Sequence, residues 1–176
     1  KRNGYRTNIK PFVVNKKQGR MRVFSDRELS LLMYETTDSD FQNFLRFAYL
    51  TGCRRGELCG IKNYHIESTR MEVTGKTGRR FVKLNRQARL LLSEQERLWN
   101  YKPRWVTDTF RKEALKLDIH DARFSDLRRT FGLNLIKEGM PIYEVSKLLG
   151  HSSVKTTEEH YAPLLIDDIK EFTLPI

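Results

Sequence analysis

The sequence predicts a mainly α-helical domain with one small, three-stranded antiparallel β-sheet. Apolar residues recur at helical spacing through most of the chain, and the period changes to short segments only between residues 64 and 84. The chain has 176 residues, of which 39% are hydrophobic. This is enough for one domain with its own core.

Two amphipathic helices are predicted at the start of the domain. The first begins at Ser25, which forms a capping-box pattern with Glu28 in front of an apolar run. The second lies in "DSDFQNFLRFAYLTG" and ends at Gly52, because glycine favours the left-handed conformation that follows many helices. The segment "CRRGELCGI" is predicted to add one short helical turn.

The sheet is predicted from three short segments, "HIES", "MEVT" and "RRFVKL". Turn-like residues separate them, which is typical of an antiparallel sheet of about three strands. Lys76 lies in "TGKTG", the tight turn that joins two of these segments.

The helical period returns after Asn85, where two helices are predicted with Pro103 as the breaker between them. The next helix lies in "SDLRRTFGLNLIKEG". Ser125 is its predicted N-cap, and Gly139 is its predicted C-terminal stop.

Two short helices are predicted near the end of the chain. Pro141 starts the first and Gly150 ends it, and Ser153 caps the second. A further short helix is predicted between residues 164 and 172.

The net charge of +11 and the sequence pI of about 9.8 indicate contact with a polyanion. Nucleic acid is the first interpretation, and a basic surface kept for solubility is the alternative. No apolar run is long enough to span a membrane, and no leader peptide is evident. The spacing of Cys53 and Cys59 fits neither a zinc site nor a redox pair, so both are predicted to be reduced thiols of an intracellular protein.

Four fragments occur in a specific order: "TGCRRGEL" (51–58), "TGKTGRR" (74–80), "SDLRRTF" (125–131) and "LGHSSVKTTEEHYAP" (149–163). Together they resemble the catalytic domain of the tyrosine recombinases, the phage integrase family, and the resemblance runs from about Val23 to Pro163. The resemblance implies the fold of that domain. It also implies cleavage of one DNA strand by a tyrosine, giving a 3′-phosphotyrosyl link and a free 5′-hydroxyl, with no metal and no cofactor.

Arg54 and Arg128 match the two arginines of the family. Planar guanidinium groups suit a phosphodiester under attack, because they donate paired hydrogen bonds to its oxygens. Glu57, three residues after Arg54, is expected to orient an arginine, although an exposed ion pair would show the same spacing. Lys76 matches the lysine that the family uses as general acid for the leaving 5′-oxygen.

His151 and Tyr161 match the phosphate-binding histidine and the nucleophilic tyrosine of the family. Gly150 and Ser153 predict a helix end and a helix start between them. These two breaks are expected to bring both side chains to one phosphate from separate short elements.

Ser125 departs from the family pattern, which has a histidine three residues before the second arginine. Serine does not exchange a proton near neutral pH as imidazole does. Three interpretations stay open: a natural variant of weaker activity, a substitution introduced to trap a DNA complex, or replacement of the histidine by His120 or His160. The first two are favoured, because His120 is five residues away and His160 is expected to point away from Tyr161.

Contacts to the DNA backbone are predicted for further arginines near these boxes: Arg55, Arg79, Arg80 and Arg129. The resemblance implies double-stranded DNA as partner, a homotetramer on that DNA, no membrane, and a cytoplasmic, nucleoid-associated location. The alternatives are a DNA-binding module without catalysis and a type IB topoisomerase.

Three regions are expected along the chain. Residues 1–20 are interpreted as a linker from a preceding DNA-binding domain, residues 21–163 as the catalytic domain, and residues 164–176 as a tail. In the family such a tail packs on a neighbouring protomer, and the alternative is a tail that packs on its own domain.

Overall fold

The computed structural model of the chain describes residues 20–76, 78–165 and 168. The predicted linker therefore lies outside the described residues except at its last position. The described part contains two strands and eight α-helices: α1 Asp26–Tyr34, α2 Ser39–Thr51, α3 Arg55–Cys59, β1 Arg70–Gly75, β2 Gly78–Lys83, α4 Arg86–Ser93, α5 Pro103–Lys116, α6 Phe124–Lys137, α7 Ile142–Leu149 and α8 Val154–Tyr161.

The predicted ends of the first two helices are confirmed. Ser25 and Glu28 form a complete capping box at the start of α1. At the end of α2, Gly52 has a φ of 61°, and a Cβ at this position would overlap the ring of Phe131 on α6. Gly52 therefore both turns the chain and lets α2 and α6 approach closely.

The prediction of three strands is wrong, because two strands are found in the described part of the chain. β1 and β2 pair antiparallel from Arg70 opposite Lys83 to Gly75 opposite Gly78. The expected first strand contributes one isolated bridge between Ile66 and Met71. Residues 63–65 form a 3₁₀ turn instead, in which His65 exchanges hydrogen bonds with Lys62, so these backbone groups are satisfied locally.

The helix that was predicted through "NRQARLLLSEQERLW" ends at Ser93. Beyond it, Trp99 donates a hydrogen bond from Nε1 to the carbonyl of Asp40, 2.9 Å away, and its ring packs on Phe44 and Phe47. Aromatic burial against α2 thus overrides the helical pattern of this segment.

Ser125 is not the N-cap of α6, so this prediction is wrong. The cap position is Arg123, and the carboxylate of Asp126 accepts a hydrogen bond from its backbone N–H over 2.9 Å. The side chain of Asp126 is fully buried beneath the first turn of the helix, where it reaches this backbone N–H. Gly139, at φ 89°, follows the helix end as predicted.

Two apolar clusters form the core. The larger one contains α1, α2, the sheet, α4 and α5. The smaller one joins the last three helices, and its buried members are Phe131, Leu133, Val145, Leu149 and Tyr161. α6 contributes to both clusters, so its N-terminal half lies between them. None of the helices in the described ranges is long and apolar enough to cross a membrane.

Candidate active site

A cleft of about 780 Å³ opens between α3, α5, the start of α6 and α8. Five of the six predicted catalytic residues line it: Arg54, Ser125, Arg128, His151 and Tyr161. Residues from three of the four sequence boxes thus meet at one place, although up to 107 positions separate them along the chain.

The charge of the cleft wall is one-sided. Among the described residues that line it, none is aspartate or glutamate and six are arginines: Arg54, Arg55, Arg111, Arg123, Arg128 and Arg129. A concave surface lined by guanidinium groups favours a bound anion such as a phosphodiester. The sequence boxes did not point to Arg111 and Arg123, and the only signal for either is the general excess of basic residues.

Arg54 stands at the N-cap of α3 and keeps its guanidinium partly in solvent. Its backbone N–H donates to one carboxylate oxygen of Glu57 over 2.7 Å, and its Nη1 donates to the other over 2.9 Å. The side chain remains 37% exposed. Glu57 therefore holds Arg54 in place, while the guanidinium stays partly exposed at the cleft wall.

Glu57 is buried and binds a second arginine. Arg80 on β2 donates from Nε and Nη2 to its two oxygens, 3.1 and 2.9 Å away. Burial disfavours the carboxylate, but the hydrogen bonds from Arg80 and from the Arg54 backbone outweigh it and lower the pKa of Glu57 to about 2. The group is ionised at neutral pH.

Arg80, for which a DNA-backbone contact is predicted, makes hydrogen bonds within the protein. Besides Glu57, it donates from Nη1 to the carbonyl of Leu148 at the end of α7, over 3.0 Å. Its side chain is 13% exposed. A Cβ at Gly150 would overlap this side chain, so glycine is needed there for packing as well as for the left-handed turn at φ 64°.

Arg128 projects from α6 and is held by two backbone carbonyls, those of Gly52 and Leu149. Burial and repulsion from Arg54 and Arg80 lower its pKa to about 10. A phosphate bound in the cleft would place a negative charge close to these guanidinium groups. It would therefore offset their mutual repulsion.

His151 follows the left-handed Gly150 in the loop between α7 and α8. Its Nδ1 lies 2.7 Å from the hydroxyl oxygen of Thr157. Burial, together with the positive charge of Arg128, lowers the pKa of His151 to about 4. The imidazole is therefore neutral at neutral pH and has one N–H to donate.

Tyr161 is the last residue of α8, and it is 2% exposed. A Cβ at Gly132 would overlap its hydroxyl, so this hydroxyl lies directly against α6. Burial raises the pKa of Tyr161 to about 12 despite the opposing charges of Arg128 and Arg129. The ring borders the cleft, but the phenol is packed and protonated.

Lys76 is exposed in the turn between β1 and β2 and is not among the residues that line the cleft. Ser125 lies in the first turn of α6, exposed at the cleft wall. Of the two histidines considered as substitutes, His120 pairs with Asp118 at 2.7 Å and does not line the cleft. His160 lines it, with its ring centroid 6.0 Å from that of His151.

The other predicted DNA contacts occupy different settings. Arg55 is exposed and binds the hydroxyl of Thr107, and Arg79 is 79% exposed beside Glu72. Arg129 is only 20% exposed, because its guanidinium pairs with the buried Asp126 at 2.9 Å. Arg55 and Arg79 are thus the two arginines of this set that are open to a backbone contact.

The start of the predicted tail packs on its own domain. Leu164 and Leu165 contact the smaller core cluster, and Asp168 lies 3.2 Å from Lys137 of α6. The rest of the tail is outside the described residues.

The amino-acid sequence of the chain is similar to sequences of known proteins. The sequence profile of the phage integrase family matches residues 23–165. Tyrosine recombinase XerA of Saccharolobus solfataricus is 29% identical over 72% of this chain and 46% of its own length. Tyrosine recombinase XerC of Staphylococcus carnosus is 28% identical over 86% of this chain and 62% of its own length.

The fold also matches solved structures. One is XerH site-specific recombinase bound to palindromic difH substrate in a post-cleavage complex, with a TM-score of 0.68 and 16% identity over 94% of this chain and 59% of that chain. The chain thus spans about half to three fifths of the length of the curated relatives it matches.

Proposed function

Because the chain belongs to the phage integrase family, we propose that it is the catalytic part of a site-specific DNA recombinase. It cleaves and rejoins double-stranded DNA through a 3′-phosphotyrosyl intermediate, without a metal ion. The observation that carries this proposal is the cleft lined by six arginines and no carboxylate, with His151 and Tyr161 on its wall.

Tyr161 is the proposed nucleophile. Its hydroxyl gives up its proton to water or to a neighbouring group. The phenolate oxygen then forms a bond to phosphorus, and the bond from phosphorus to the 5′-oxygen breaks. Lys76 donates the proton that the leaving oxygen takes up as a 5′-hydroxyl. Attack by a 5′-hydroxyl on the phosphotyrosine reverses the step and rejoins a strand. The phosphotyrosyl link keeps the free energy of the broken phosphodiester bond, so no high-energy cofactor is needed.

Arg54, Arg128 and His151 are proposed to stabilise the charge that develops on the phosphate oxygens. Their donors are already oriented by Glu57, by backbone carbonyls and by Thr157. Such preorganised donors stabilise a transition state more than water does, because they need no reorientation during the reaction.

Two side chains must move before this chemistry can occur. The phenol of Tyr161 is packed against Gly132, and Lys76 is at the hairpin turn outside the cleft wall. We propose that bound DNA attracts Lys76 toward the phosphate and that a shift of α8 exposes the phenol. The DNA-free protein is then held inactive by burial of its own nucleophile.

The proposed partners are double-stranded DNA and further copies of the chain, four in the active assembly, with residues 164–176 packed between protomers. The net charge of +11 supports the DNA partner. The proposed place of action is the cytoplasm, on the nucleoid.

A covalent-trapping experiment tests the proposal. The protein is incubated with a pool of nicked duplexes of randomised sequence, and adducts that survive denaturant are collected and sequenced. We expect an adduct on an enriched sequence, unchanged by chelators and lost in Tyr161→Phe. Tyr143→Phe, at an exposed tyrosine on α7, is the matched control and should retain it. DNA binding without an adduct would instead indicate a non-catalytic module.

A further inference from the structure

The hydroxyl of Thr157 makes an unusual contact for a helical threonine. It lies 2.7 Å from Nδ1 of His151, which is outside its own helix, in the loop before α8. Thr157 is fully buried. The sequence boxes gave no reason to single it out, since a spacing of six residues across a helix start matches no regular pattern.

Three other helical threonines in the described part of the chain donate to the carbonyl four residues earlier. Thr51, Thr107 and Thr130 do so, to Phe47, Pro103 and Asp126 respectively. For Thr157 the described part of the chain shows no such bond, and its hydroxyl has Nδ1 of His151 as its partner.

This difference fixes the direction of the hydrogen bond. A hydroxyl carries one proton, and a buried proton donor without an acceptor is costly. Because no carbonyl takes the proton of Thr157, it is directed to Nδ1, which must then be unprotonated. A neutral imidazole with an unprotonated Nδ1 carries its hydrogen on Nε2.

We propose that Thr157 is a positioning residue that fixes His151 in the tautomer with its proton on Nε2. Nδ1 is occupied by Thr157, and His151 lines the cleft, so the Nε2 edge is the one left for a bound phosphate. The low pKa of His151, about 4, agrees with a neutral ring. The role in phosphate binding rests on the proposed function, whereas the tautomer itself does not.

The contact also ties His151 to the helix that carries Tyr161. Thr157 and Tyr161 are four residues apart on α8, both are buried, and they therefore share one face of that helix. This side-chain hydrogen bond therefore links the histidine loop to the tyrosine helix.

The test is a nitrogen–proton correlation spectrum of the full chain, labelled with ¹⁵N in its histidine rings, at pH 7 without DNA. The chain has four histidines, and the signal of His151 is the one that is lost in His151→Gln. We expect His151 to be protonated on Nε2 alone. In Thr157→Val, which keeps the side-chain shape but lacks the hydroxyl, both tautomers should appear, and Thr157→Ser should restore the single one. Protonation of Nδ1 in the unsubstituted protein, or an unchanged spectrum in Thr157→Val, would overturn the inference.

Single-turnover cleavage gives the functional consequence. Loss of a tautomer-fixing partner lowers the rate of serine proteases by about 10⁴-fold. Here both tautomers remain accessible, so Thr157→Val should slow cleavage only by the factor by which the reactive tautomer is depleted, about two- to tenfold, with DNA affinity unchanged, and Thr157→Ser should recover the rate. If the unsubstituted protein forms no adduct on any DNA, the proposed function fails, while the spectrum still decides the tautomer.

Discussion

The guanidinium of Arg80 in β2 and the carboxylate of Glu57 in α3 form a two-point ion pair, with hydrogen bonds of 3.1 and 2.9 Å. The same carboxylate orients Arg54, and Arg80 also binds the end of α7. The pair therefore joins the hairpin that carries Lys76 to the helix start that carries Arg54 and to the loop that carries His151.

Glu57→Gln should destabilise the fold strongly, because Arg80 and Arg54 would keep their charges with no carboxylate between them. Removal of one partner from a buried pair costs about 3–5 kcal/mol of unfolding free energy. Urea unfolding at pH 7 measures this loss. Glu67→Gln is the matched control, since its pair with Arg70 is exposed and should contribute little to the free energy of unfolding.

The same pair predicts an acid dependence. The pKa of Glu57 is lowered to about 2, so its stabilisation is complete above the unfolded value near 4.5 and is lost as the pH falls toward 2. Unfolding free energies measured between pH 6 and pH 2 should therefore fall less steeply for Glu57→Gln than for the unsubstituted protein. Parallel curves would show that Glu57 is not the group responsible.

Gly132→Ala should force the phenol of Tyr161 out of its packed position, because the added Cβ would overlap the hydroxyl. Overpacking of this kind costs about 1–3 kcal/mol of unfolding free energy. In a phenol titration the pKa of Tyr161 should move from about 12 toward the unperturbed value near 10.

Two comparisons isolate this effect. Gly56→Ala adds a methyl group where nothing lies within 4 Å, and it should leave the titration unchanged. In a Tyr161→Phe background the cost of Gly132→Ala should shrink but not vanish, since the overlapped hydroxyl is absent while the ring carbon Cζ, 2.6 Å from the added Cβ, remains. Equal costs in both backgrounds would contradict the packed position of the phenol.

Arg54→Ala should lower cleavage by about 10²-fold or more, by analogy with loss of one preorganised oxyanion donor. DNA affinity should change little, because many other cations hold the backbone. Adduct formation and gel-shift titration on one nicked substrate measure the two quantities. Arg79→Ala, at an exposed arginine, should show the opposite pattern of weakened binding with unchanged single-turnover cleavage. Equal losses of binding and cleavage in Arg54→Ala would make it an ordinary phosphate contact.

Ser125→His should accelerate single-turnover cleavage by about 10²- to 10⁴-fold, the usual contribution of a general acid–base group. With serine present, the rate should keep rising above neutral pH, because the exposed phenol of Tyr161 ionises only toward its unperturbed pKa of about 10. With histidine present, the profile should level off once the imidazole is neutral.

Ser125→Asn, which adds a polar side chain that does not titrate, is the control. A gain below about threefold with an unchanged pH profile would show that another group, such as His160, already acts as base.

The sequence determined the features that depend on residues within a few positions of one another. The capping box of Ser25 and Glu28 and the glycine ends at Gly52 and Gly150 follow from local hydrogen bonds and backbone sterics, which spacing alone specifies. Five predicted catalytic residues line one cleft, because the order of the boxes reflects the family fold.

Only the tertiary structure decided which distant side chains meet. Arg80 lies 23 positions from Glu57, and Arg128 lies 76 positions from Gly52, so no local pattern shows that these groups bind each other. Burial decided the state of the candidate nucleophile as well. The phenol of Tyr161 is packed and protonated because α6 presents a glycine opposite it, and that contact exists only once α6 and α8 are packed together.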